Sequence, residues 1–194
     1  MLQSLAKWIL KVSGWTPVGD IPPYRKQVFI AASHTSNWDG LWLILYKLAL
    51  DVKLRFLAKN SLFWWPLGSL LRAFGAMPVD RSKSESIVDQ MVAAFEKEND
   101  LFLALAPEGT RSHRPYWKTG FYQIALLAEL PVTLAFIDYP NKRMGIGVTI
   151  WPRGDVEGDL NIIREFYAPY VPRHPEKRSP IDFPPDYKPE NKVS

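Results

Sequence analysis

The sequence predicts a single α/β domain, a mostly parallel sheet flanked by helices, on three observations. Apolar runs of strand length, such as Val28-Phe29-Ile30-Ala31-Ala32 and Leu101 to Ala106, alternate with amphipathic stretches of helix length. The 194 residues, 47 % of them hydrophobic, suffice for one sizeable core, and no linker or internal repeat divides them. The two segments richest in chemistry-bearing side chains each follow directly on a strand-like run, where ligands bind in open α/β folds. The expected division is an amphipathic N-terminal helix over 1–14, the domain itself over 15–171, and a polar, Pro-rich tail over 172–194.

Leu2, Leu5, Ile9 and Val12 fall on one helical stripe bordered by Trp8, with Gln3, Ser4, Lys7 and Lys11 opposite. This predicts a helix stopped near Gly14 that either lies on a membrane or covers the core. After Ile21-Pro22-Pro23 comes the apolar strand that leads to His34, then a helix from about Asn37 to Leu50 with Asn37 as its cap. Lys53 to Ala58 reads as a strand. Leu62 to Phe74 reads as a short, very apolar helix suited to lipid, to an acyl chain or to burial. Ala76 to Val79 is a short strand, and Ser82 with Glu85 has capping-box spacing before a helix that turns Ile87, Val88, Met91, Ala94 and Phe95 inward. Leu101 to Ala106 is a buried strand, Gly120 to Glu129 a helix, and Val132 to Ile137 and Gly145 to Trp151 further strands. Beyond Tyr170, six prolines among polar residues predict an extended or disordered tail.

With no cysteine there is no disulfide framework, thiolate nucleophile or thiolate metal site, and a reducing, cytoplasmic setting is expected. Lys47, Pro66, Glu129 and Pro131 break the longest apolar stretches before they reach spanning length, so no transmembrane helix is expected. Positive charge is concentrated early: residues 1–60 carry eight basic side chains against three acidic ones. Six of the eight tryptophans lie in that region or just beyond it. Tryptophan beside lysine suits an anionic bilayer surface, while buried tryptophans under an ordinary basic face would look the same. No basic run or recognised motif points to nucleic acid.

His34 and Asp39 carry the first chemical signal. Residues five apart on one ideal helix are separated by roughly 140°, so the two meet only if the chain turns between them and Asp39 alone lies in the first helical turn. Their carboxylate and imidazole can form the dyad that makes histidine a positioned base. No G-x-S-x-G elbow supplies a nucleophile, so the base is expected to act on a substrate hydroxyl. Pro107-Glu108-Gly109-Thr110-Arg111 then places a rigid turn, a carboxylate, a closely approachable backbone, a hydroxyl and a guanidinium in five residues. Arg111 can grip phosphate in a bidentate manner, Arg81 offers a second guanidinium, and Lys118 is a further candidate for a phosphate contact. His34, His113 and His174 are scattered and no His-Glu-x-x-His pattern occurs, so neither a metal nor another cofactor is expected.

Four blocks, His34-Thr35-Ser36-Asn37-Trp38-Asp39, Gly75 to Arg81, Ala106 to Ser112 and Leu130 to Ala135, resemble in order and spacing those of the glycerolipid acyltransferases of the lysophosphatidic acid acyltransferase type. Pro78, Ala106 and the lack of a second proline in the fourth block depart from the usual pattern and leave the acceptor open. The resemblance implies that His34 deprotonates an acceptor hydroxyl, that Asp39 orients His34, and that Arg81, Glu108, Gly109, Thr110 and Arg111 bind the glycerol-phosphate end of the acceptor. It also implies a thioester co-substrate, acyl-CoA or acyl-carrier protein. Lipid substrates and the inner face of the cell membrane would be the partners. An ornithine-lipid, glycolipid or specialised-metabolite acceptor, or a non-catalytic lipid-binding role, are the alternatives.

Overall fold

The computed structural model describes residues 2–79 and 86–190. Seven strands form one sheet: β1 (Thr16–Val18), β2 (Lys26–Ala31), β3 (Leu54–Lys59), β4 (Ala76–Val79), β5 (Leu101–Leu105), β6 (Val132–Asp138) and β7 (Arg143–Ile150). Their order is β1-β7-β6-β2-β5-β3-β4, and every neighbouring pair is parallel except β6 with β7. The helices are α1 (Leu2–Val12), α2 (Asn37–Leu50), α3 (Leu67–Ala73), α4 (Ile87–Lys97), α5 (Gly120–Leu127) and α6 (Val156–Tyr167). None of the described helices is long and apolar enough to cross a membrane.

The core lies in two layers. On one face of the sheet, Leu45, Tyr46 and Ala49 of α2 with Ala6 and Leu10 of α1 pack on Phe29, Leu54, Ala104 and Met144. On the other, α4, α5 and α6 bury Met91, Phe95, Phe121, Ile124, Leu160 and Ile163 against Val28, Ile30, Leu103 and Leu134. The central strands are apolar toward both layers, as expected for parallel strands covered on both faces.

Adjacent parallel strands β2 and β5 are where the chain reverses its direction of travel. β2 continues through α2 on one face to β3, whereas β5 continues through α5 on the opposite face to β6. The loops leaving their carboxyl ends therefore part and open a crevice between them. Both chemistry-bearing segments lie there: residues 32–36 follow β2, and residues 106–119 follow β5.

Several elements differ from expectation. β1 is three residues long and contains Pro17, tolerable because it is the sheet's edge strand. α6 carries a helical signal that the sequence reading passed over: Asp155 accepts from the Gly158 amide, and Val156, Leu160, Ile163 and Tyr167 share one face. Ser36, not Asn37, caps α2, and Ser86 with Asp89 forms the capping box of α4. Ser82 and Glu85 lie outside the described residues. The tail is extended, but through residue 190 it is fixed to the body. Phe183 is buried against Phe121 and Tyr122, Trp117 donates its amide to Asp182 O at 2.8 Å, and Gln123 Oε1 accepts from Tyr187 Oη and the Glu190 amide. Prolines keep this segment out of the sheet without keeping it off the core.

Candidate active site

The turn between β2 and α2 brings His34 to Asp39. Ser36 Oγ accepts from the Trp38 amide, and Asp39 Oδ2 accepts from the Ser36 and Thr35 amides at 2.9 Å each. The same Oδ2 stands 3.1 Å from His34 Nδ1. One carboxylate thus closes the helix cap and fixes the imidazole; the capping and dyad roles coincide. Tyr139 Oη donates to the other oxygen, Oδ1, at 2.5 Å. Burial pushes the Asp39 carboxyl up, but the hydrogen bonds from His34, Tyr139 and Ser36 outweigh it and hold Asp39 below the usual carboxylate range. With Nδ1 directed to the carboxylate, Nε2 has no protein partner among the described residues.

Across the crevice, the turn after β5 is closed by the Gly109 amide on Ala106 O at 3.0 Å, with Gly109 at φ +63°. Only glycine is at ease there. A Cβ on residue 109 would also lie 2.6 Å from the Lys118 side chain, which crosses this turn, while the Lys118 amide donates to Pro107 O. Glu108 points inward, 3 % exposed, and its Oε1 accepts the His34 amide at 3.3 Å. Burial raises its carboxyl to about 7, against smaller opposing hydrogen bonds from its own and the His34 backbone amides. Thr110 is half-buried and Arg111 is exposed. The tail braces this loop: His113 Nδ1 lies 2.9 Å from Arg178 O, and the Arg114 amide donates to Ser179 Oγ.

One cavity of about 1250 Å³ joins these parts. His34, Asp39, Glu108, Gly109, Thr110, Arg111 and Lys118 all line it, so the fold gathers every expected site residue except Arg81, which lies outside the described residues. Beyond this polar rim the lining is apolar, with Phe29, Trp42, Leu43, Leu54, Phe56 and Ile146. The lining also includes Lys47, whose ammonium donates to Leu54 O and Phe74 O. Three buried side-chain polar atoms among the described residues lack partners: Glu108 Oε2, Trp42 Nε1 and Trp117 Nε1. All three residues line this cavity. A hollow bordered by polar groups without partners suits a site whose hydrogen bonding a ligand and a small side-chain adjustment complete together. No group of three His, Asp or Glu side chains among the described residues could hold a metal ion.

Tyr139 and the tail contacts were missed in the sequence. Tyr139 follows β6, beside β2 in the sheet, and is 100 positions from Asp39; no local spacing announces the pair.

Comparison with curated proteins finds no match. Among solved structures, the fold is similar to the crystal structure of the 1-acyl-sn-glycerophosphate (LPA) acyltransferase PlsC from Thermotoga maritima. The TM-score is 0.59 at 19 % identity, over 85 % of this chain and 74 % of that one. The acyltransferase family profile matches residues 9–150, which hold the His34–Asp39 pair, the turn at Glu108 and all seven strands. The chain belongs to the acyltransferase family.

Proposed function

We propose that the protein transfers a fatty acyl group from a thioester, acyl-CoA or acyl-carrier protein, to the hydroxyl of a lysophospholipid-like acceptor, with 1-acylglycerol 3-phosphate the best fit. The observation that carries this reading is His34 Nε2, without a protein partner among the described residues, at the border between an apolar cavity and the basic side chains of Arg111 and Lys118. In the proposed reaction Nε2 takes the acceptor's hydroxyl proton as the oxygen attacks the thioester carbonyl. The new C–O bond forms, the C–S bond breaks, and the imidazolium returns the proton to the departing thiolate. Asp39, held ionised, stabilises the imidazolium. Glu108, Gly109, Thr110 and Arg111, with Arg81, would bind the glycerol-phosphate end of the acceptor, and Lys118 its phosphate. The cavity exceeds what a single small ligand needs, which suits an acyl chain beside an acceptor.

The test is thiol release and product mass with palmitoyl-CoA and palmitoyl-carrier protein offered separately, across acceptors with and without phosphate. Transfer to 1-acylglycerol 3-phosphate is expected, with at least a tenfold loss when the acceptor lacks phosphate, from forfeited charge-assisted hydrogen bonds. Equal rates on phosphate-free acceptors would transfer the reading to an ornithine-lipid or glycolipid acceptor. Tight lipid binding with no transfer to any acceptor would favour a non-catalytic lipid-binding role.

Peripheral docking at the inner face of the cell membrane belongs to the same proposal. α1 buries Ala6 and Leu10, while Leu2, Leu5, Trp8 and Val12 remain exposed. Trp64 and Leu70 are exposed as well, and Trp65 is 84 % exposed. The exposed apolar side chains of α1, with Lys7 and Lys11 on the same helix, and those of the 64–70 segment each suit a bilayer surface, where both lipid substrates can enter without exposing a chain to water. Removing residues 1–13 would take Ala6 and Leu10 from the core, so point variants are cleaner. Trp65→Ser and Trp8→Ser should each weaken binding to phosphatidylglycerol-containing vesicles about tenfold, the scale of burying one large apolar side chain. Flotation of the double variant at the wild-type level would remove the docking proposal.

A further inference from the structure

We propose that Tyr139 is a positioning residue for the His34–Asp39 pair, held in place by the segment 171–174 that follows α6. The inference rests on the reading of His34 as the base.

Asp39 is buried, and its two oxygens divide their work. Oδ2 accepts from His34 Nδ1 and from the Thr35 and Ser36 amides, whereas Oδ1 has one donor among the described residues, Tyr139 Oη. With Oδ1 held, the carboxylate plane is fixed, and Oδ2 stays directed at the imidazole. Without that donor, a buried carboxylate oxygen would be unsatisfied.

The tyrosine is itself clamped. Its ring stands edge-on to buried Trp15 at 5.2 Å, and the Arg173 guanidinium lies 5.8 Å from its centroid. Arg173 also lies over Trp38, in the first turn of α2, at 5.5 Å. The backbone around it is tied at three points. Tyr139 donates its amide to Val171 O at 3.0 Å, Val171 donates to Asp138 Oδ1 at 3.2 Å, and His174 donates to Thr35 Oγ1 at 3.2 Å. Segment 171–174 therefore straps the end of β6 to the loop bearing His34. These strap residues lie beyond the stretch matched by the acyltransferase profile.

Of the charged and titratable groups packed here, His34 on its own loop and Tyr139 after β6 bond Asp39, Glu108 of the β5 turn accepts the His34 amide, Arg173 of the strap lies against the Tyr139 ring, and His174 of the strap pairs with Glu176 at 3.5 Å. Removing the Tyr139 hydroxyl leaves burial of Asp39 less offset, so the carboxylate binds a proton more readily. The pair as a whole then takes up a proton at higher pH, which moves the acid limb of the pH profile upward.

The decisive variant is Tyr139→Phe, which retains the ring against Trp15. With palmitoyl-CoA and 1-acylglycerol 3-phosphate, kcat should fall about tenfold, the scale of one hydrogen bond to a charged group. KM should remain within about twofold. The acid limb of kcat/KM should move up by about half a unit or more, and an NMR titration of the Asp39 carboxyl, which needs no substrate, should move in the same direction. Arg173→Ala should reduce kcat less, and adding it to Tyr139→Phe should cost nothing further, because both act through one carboxylate. Wild-type kcat with an unchanged Asp39 titration in Tyr139→Phe would overturn the proposal. So would a lower kcat with an unchanged profile and a lowered Tm, the mark of packing alone. Activity surviving in His34→Ala would instead overturn the base reading beneath it.

Discussion

His34→Ala is expected to lower turnover by about 10³-fold or more while the protein still folds, because a positioned general base contributes roughly 10²–10⁴-fold and no other described side chain can replace it on Asp39. The imidazole is partly exposed, and its bond is to Asp39 Oδ2, which keeps its two backbone amides in the variant. The α2 cap should therefore persist. Asp39→Asn should be the more disruptive exchange, since an amide cannot accept at both ends of the network that Thr35, Ser36, His34 and Tyr139 supply. Thiol release under saturating substrates, with Tm measured alongside, separates the two effects. His34→Ala at more than a tenth of wild-type turnover would remove His34 as the base.

The parts of this site that were legible in the sequence are those built by local chain geometry. Val28 to Ala32 and Leu101 to Leu105 are apolar toward both layers, so their strands, and the loops at their ends, could be placed without tertiary information. The helix start was legible although its cap lies one residue before the expected Asn37: Ser36 to Asp39 is a capping box, and it delivers the carboxylate to His34 as a consequence of starting the helix. The direction in which Glu108 points was not legible. A glutamate after a strand is ordinarily solvated, and only the approach of β2 and β5 turns this one under His34. Tyr139 and the strap are products of strand order, which places the end of β6 beside the end of β2. The helical stripe of α1 was read correctly as apolar, yet the face that packs is the one carrying Ala6 and Leu10, where the small Ala6 lets α1 approach α2.

Glu108→Gln should change how stability depends on pH. The folded protein holds this carboxyl at about 7, raised by burial from an ordinary 4.5. Between those values the folded chain retains a proton that the unfolded chain has released. The contribution of Glu108 is therefore fully present below about 4.5, declines as pH rises through the window, and is lost above about 7. Glutamine keeps an oxygen to accept the His34 amide and cannot ionise. Relative to wild type, the variant should gain about 2–3 kcal/mol of stability between pH 4.5 and pH 8, by the linkage of one titrating group. For a chain of this length that is a relative Tm gain of roughly 4–12 °C. Because the histidines and other carboxylates titrate in both proteins, the difference between their stability curves isolates Glu108. Parallel curves would mean that Glu108 ionises in the folded protein as it does in the unfolded chain, and with that the argument for a near-neutral carboxyl beneath His34 would fail.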